Sequence, residues 1–135
     1  GMDGVMMGTR FLACDEALPS ERVKNRLLHA VASDTVRTRI FDDVRGISWP
    51  AEYSGRAIAN QFSESWVGNE QAFSLALDEL RPQYERALAT DDVGTKAIWA
   101  GEVADLIKDV QPARSIVEAT LKGYADTVAK LGRTL

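Results

Sequence analysis

A mainly α-helical architecture is predicted by three features of this 135-residue sequence. From Asn69 onward, apolar residues recur every three or four positions, the spacing of one helix face. Strand-like patterning is confined to a short apolar run, Val5-Met6-Met7, and to one alternating stretch in which Val36, Thr38 and Ile40 are separated by Arg37 and Arg39. The repeated βα units that would give a buried parallel strand its neighbours are missing, so the chain is either chiefly helical or the end of something larger.

Val5-Met6-Met7, bounded by Gly4 and Gly8, is short and apolar on both sides, which suits a fully buried strand. Thr9 is placed to cap a short helix through Phe11, Leu12 and Ala13. Ser20, after Pro19, caps the next helix: Glu21 suits the positive end of its dipole, and Val23, Leu27, Ala30 and Val31 share a face. From Asp34 to about Ala51 there is no helical period. Gly46, Trp49-Pro50 and Gly55 punctuate an ordered, irregular connection, and Arg56 to Trp66 fits an extended or a helical form equally. Phe73, Leu77 and Leu80 then define a helix that Pro82 should kink or restart before Tyr84 and Leu88. Thr95 can cap a third long helix with Trp99, Val103, Leu106 and Val110 on its face. Pro112 suits the start of the last helix, whose Val117, Leu121, Tyr124, Val128 and Leu131 recur at steps of four, three, four and three.

Composition limits the function. Sixteen basic and twenty acidic side chains leave a net charge of −4, with 45% hydrophobic and 27% charged residues, the balance of an ordinary globular domain and not of a disordered chain. No basic excess is available to neutralise phosphates, so nucleic acid is not an expected partner. No apolar run approaches the roughly 18 residues of a membrane span. A single cysteine, Cys14, allows no internal disulfide, and a single histidine, His29, allows no multi-histidine metal site. A cytoplasmic setting is expected.

Two separated segments carry a family resemblance. Gly1-Met2-Asp3-Gly4-Val5-Met6-Met7-Gly8-Thr9-Arg10-Phe11-Leu12-Ala13 resembles the last barrel strand and phosphate loop of the nitronate monooxygenases, formerly 2-nitropropane dioxygenases. Ile98-Trp99-Ala100-Gly101-Glu102-Val103, with the residues to Val110, is similar to the family's Trp-Ala-Gly-Gln segment and the helix after it. Arg45-Gly46-Ile47 and Gly55-Arg56-Ala57, with Asn60 and Phe62, resemble the arm between them. Flavin-dependent enoyl reductases share a similar ending. The resemblance implies the C-terminal portion of an α/β, FMN-binding TIM barrel, a fold of about 250 residues. On that basis residues 1–18 form the last strand and phosphate loop, 19–33 a helix, 34–68 the arm and 69–135 the C-terminal helices. The family's first seven strands, most of its flavin pocket and its catalytic histidine then have no counterpart here, since His29 lies in a different segment.

Gly8 and Thr9 are the chief site candidates. A glycine ending a strand lets the backbone approach a phosphate, and N–H groups opening a helix point at an anion; the resemblance implies that the Gly8 and Thr9 backbone and the Thr9 hydroxyl hold the FMN phosphate. The plain alternative is a strand-ending glycine and an ordinary cap. Met7 is a candidate flavin contact, though it and Met6 equally suit core filling. Trp99 suits a packing anchor. Glu102 stands where the family has glutamine, and ionised glutamate only accepts hydrogen bonds; it is either a second charge near a phosphate or a solvated side chain. Arg37, Arg39, Arg45 and Arg56, interleaved with Asp34, Asp42, Asp43 and Glu52, read as a mixed solvated surface. No catalytic residue is assigned.

These observations allow two accounts of the chain. In one, it is the C-terminal segment of an FMN-dependent enzyme oxidising alkyl nitronates with O2, inactive alone and completed by a homo-oligomer or by the missing barrel half. In the other, it is a non-catalytic helical module that self-associates or binds a partner.

Overall fold

The computed structural model describes residues 4–132; Gly1 to Asp3, where the N-terminal resemblance begins, lie outside them. Six α-helices and two strands are found among these residues, in the order α1 (Thr9–Leu12), α2 (Glu21–Leu28), β1 (Thr35–Thr38), α3 (Ile40–Val44), β2 (Gly55–Ile58), α4 (Gln61–Trp66), α5 (Glu70–Ala89) and α6 (Ala113–Leu131). The chain is mostly helical, as expected. None of these helices is long and apolar enough to cross a membrane.

The organising element is β2. It pairs antiparallel with β1, Thr35 facing Ile58 and Thr38 facing Gly55. Its other edge takes residues 98–100: the Ile58 N–H donates to the Ile98 carbonyl (2.9 Å), the Ala100 N–H to the Arg56 carbonyl (3.1 Å), and Trp99 bridges Ala57. Successive strand residues point to opposite faces, so β2 separates two cores. Ile58 joins Ala13, Val23, Leu27, Ala30, Ile98 and Ile107 on one side. Ala57 joins Phe41, Phe62, Phe73, Leu80 and Tyr84 on the other. The second core is aromatic, with Phe62 and Tyr84 ring centroids 5.5 Å apart and Trp99 edge-on to Phe41 at 6.0 Å.

Local chemistry explains the helix starts. Ser20 caps α2 by accepting from the Val23 N–H (3.3 Å). Asn60 caps α4 reciprocally: its side-chain oxygen accepts from the Ser63 N–H, while its own N–H donates to the Ser63 hydroxyl. The Asn60 amide also donates to the Val93 and Lys96 carbonyls, tying the α5 exit to the α4 start. α6 begins directly after Pro112 as expected, and the Ala113 N–H donates to the Glu16 carboxylate (2.8 Å), which lowers that group's pKa.

Several expectations are corrected. Val5 to Met7 form no strand: a strand needs a ladder partner, and none is supplied among the described residues, so Val5 and Met6 are exposed and Met7 partly so. Gly8, not Thr9, holds the cap position of α1. Ile40 opens α3 instead of extending the alternating strand, and Arg56 to Trp66 divides into the end of β2 and then α4. α5 runs unbroken through Pro82, because burial of Phe73, Leu80, Tyr84 and Ala87 along one side holds both halves in line. The long helix expected from Thr95 does not form. Residues 98–100 pair with β2 instead, leaving only a 3-10 turn, Glu102–Leu106. Val117, Leu121, Tyr124, Val128 and Leu131 do lie on α6, but that face is 45% to 69% exposed, and only Ile116 of the helix is buried.

Candidate functional site

The phosphate-loop candidates meet the Trp-Ala-Gly segment in space. The Gly101 N–H donates to the Thr9 hydroxyl oxygen (2.9 Å), bringing together residues 92 positions apart. Because Thr9 accepts there, its own O–H proton is left to donate outward. The N–H groups of Thr9 and Arg10, at the first two positions of α1, have no intrahelical acceptor. α1 is only four residues long and carries little dipole, so these groups act as individual donors.

Gly8 faces open space: a Cβ placed on it would meet nothing within 4 Å, and its φ of −103° is open to any residue. Nothing within the described chain therefore demands glycine there, as a close-approaching ligand would. Two backbone donors, one hydroxyl donor and an open glycine suit a phosphate group. Met7 borders this loop and is 36% exposed.

The loop is held firmly from behind. The Arg10 guanidinium, largely buried, donates to the Asp109 carboxylate (2.8 Å), the Asp109 carbonyl (2.9 Å) and the Ala13 carbonyl (3.1 Å). The Asp15 N–H, donating to the Gln111 carbonyl (3.1 Å), continues the junction. Arg10 is thus a fastening and not an anion ligand. Its role was not legible in the sequence, because the acceptors on Asp109 lie 99 positions away; the sole signal was a cation directly after Thr9.

Glu102 is neither isolated nor aimed into a buried site: its exposed carboxylate pairs with Arg56 at 3.2 Å. Arg56 faces Arg37 across the β1–β2 ladder, and the two like charges are drawn apart by separate partners. Arg56 also donates to the Thr35 hydroxyl, whereas Arg37 donates to the Ser54 carbonyl. Trp99 is a packing residue, its indole lying over Gly55, where a Cβ would fall 2.2 Å from the ring. His29 ends α2, its Nδ1 2.8 Å from the Asn25 carbonyl, away from this loop's contacts. Of the arm's charges, Asp42 departs from a solvated surface: it is buried, and burial raises its pKa against the lowering effect of Arg45.

The family model described as nitronate monooxygenase matches residues 1–123. The chain is 33% identical over 128 residues to the nitronate monooxygenase npaC of Metarhizium robertsii, covering 89% of this chain and 34% of that protein. It is 26% identical over 134 residues to the nitronate monooxygenase of Neurospora crassa, covering 97% of this chain and 34% of that one. The chain spans about a third of the length of these curated relatives. Among solved structures, FabK from Thermotoga maritima superposes with a TM-score of 0.74 at 27% identity, over 96% of this chain and 39% of its own. Nitroalkane oxidase from Streptomyces ansochromogenes gives 0.66 at 23% identity over 93% of this chain and 33% of its own, a likeness of fold.

Proposed function

The chain belongs to the nitronate monooxygenase family, and from that membership we propose that it is the C-terminal segment of an FMN-dependent oxidoreductase acting on alkyl nitronates with O2. Its part is to hold the cofactor phosphate through the Thr9 and Arg10 N–H groups and the Thr9 hydroxyl at the open Gly8 corner, with Met7 beside it. The flavin, when bound, supplies the redox chemistry; these residues bind and orient it. The rest of the barrel and the proton-handling histidine come from outside this sequence, so the segment is inactive by itself.

The observation that carries this reading is the Thr9–Gly101 hydrogen bond, which joins the two segments of family resemblance at one corner. The test is a titration of the purified chain with FMN followed by flavin fluorescence anisotropy. Saturable binding is expected in the parent chain and not in Gly8→Leu. That substitution should cost no more than about 1 kcal/mol of stability, because the new side chain enters open space. Absence of binding to a folded parent chain, or equal binding by Gly8→Leu, refutes the clamp.

A second reading has its own support. The exposed apolar stripe of α6 and the exposed Val5–Met7 run are surfaces that water disfavours. In this account the chain is a helical module that covers them by self-association or against a partner. In the first account the missing barrel half, or a second copy, covers the same two surfaces.

A further inference from the structure

Beside Trp99, and apart from the Thr9 corner, the fold forms a cavity of about 550 Å³ that the flavin reading does not use. Its size suits a small organic molecule. Trp99, Trp49 and Tyr53 supply aromatic walls, and Asp42 and Arg45 stand at its polar end. The wall is locally fixed, because the Trp99 indole occupies the volume where any Gly55 side chain would go.

Arg45 is the informative group. Its side chain is 37% exposed, and no hydrogen bond from it is found among the described residues; its charge contact is Asp42, at 3.8 Å. That distance exceeds a hydrogen bond. A planar fork of N–H donors facing an aromatic cavity is the arrangement that recognises a planar, two-oxygen anion. The surrounding charge favours the same sign of ligand. Arg39 donates to the Trp49 carbonyl (3.2 Å) and Arg37 to the Ser54 carbonyl (3.0 Å), so two further guanidinium groups border the cavity lining, against the carboxylates of Asp42 and Asp43.

We propose that this cavity binds an aryl-substituted planar anion of carboxylate type, the anion on Arg45 and the ring between Trp49, Tyr53 and Trp99. A nitronate group has the same planar two-oxygen shape. Naming the ligand a nitronate rests on the function proposed above; the selectivity for an aryl anion does not.

The probe is phenylacetate, titrated without flavin into the full chain while tryptophan fluorescence is followed. Saturable quenching is expected, with acetate binding at least about tenfold more weakly because it leaves the aromatic walls unfilled. Arg45→Gln should weaken phenylacetate by about tenfold or more. Ser54→Phe, which puts a ring at the cavity lining and keeps the carbonyl used by Arg37 but not the hydroxyl, should abolish it. Circular dichroism establishes that each variant is folded, and should Ser54→Phe fail to fold, Ile47→Phe fills the same space. No saturable quenching in the folded parent chain overturns the proposal, as does equal binding by Arg45→Gln. Since flavin is absent throughout, FMN binding can fail while phenylacetate binding persists, or the reverse, and the two proposals fall separately.

Discussion

Asp91 shows how one side chain joins distant parts of this chain. It sits just after α5 in a left-handed conformation (φ 57°) and accepts from Ser20, the cap of α2 (2.5 Å), and from Lys96. The Lys96 and Ser20 hydrogen bonds hold its carboxyl below the ordinary aspartate range. A folded pKa below the unfolded one means that the stabilisation is complete above the unfolded value, near 3.8, and is lost as pH falls through the lower folded value. Asp91→Asn keeps a residue that tolerates the left-handed backbone but loses the charge. Thermal unfolding of this variant should show a lower midpoint at pH 7, with the gap closing in acid. A gap independent of pH would mean that the carboxylate's charge is not what matters. None of these partnerships is visible in the sequence, where Ser20 and Asp91 are 71 positions apart; only the capping role of Ser20 could be read locally.

Among the elements, α5 and the Trp-Ala-Gly segment depart from their local signals in opposite directions. α5 remains helical through Pro82, which lacks an N–H and crowds the preceding turn. Its packing against α3 and α4, through Phe73, Leu80 and Tyr84, outweighs that defect. Pro82→Ala should therefore raise stability by about 1–3 kcal/mol, partly offset by the freer unfolded chain. Denaturant unfolding measures it, and a neutral or destabilising result would imply that Pro82 is needed for packing. Residues 98–100 show the reverse: a helical period is present, yet they lie extended along β2. Two hydrogen bonds to β2, with the burial of Ile98 and Ala100, replace what a helix would have offered. The Ala97 N–H, just before the pairing, finds the hydroxyl of the buried Tyr84 (2.9 Å).

Across the whole molecule, two packed cores sit beside an apolar surface with no cover among the described residues. The α6 stripe should drive association in either functional account. Leu121→Glu with Val128→Glu is expected to reduce concentration-dependent sedimentation while leaving the unfolding midpoint of the monomer nearly unchanged, since both residues are exposed. Sedimentation that is monomeric in the parent chain at all concentrations would count against self-association and leave a different chain to cover the stripe. Local sequence sufficed for the capped helices at Ser20 and after Pro112, the helical periodicity of α6 and the family. These depend on neighbours within one or two turns, or on short contiguous motifs. Folding in three dimensions was needed to learn that Thr9 meets Gly101, that Arg10 fastens to Asp109, that Glu102 pairs with Arg56, and that Asp42 is buried. Each depends on side-chain contacts that no local pattern encodes. The same holds for Val5–Met7, which is not a strand because backbone pairing requires a partner that a short stretch of sequence cannot supply.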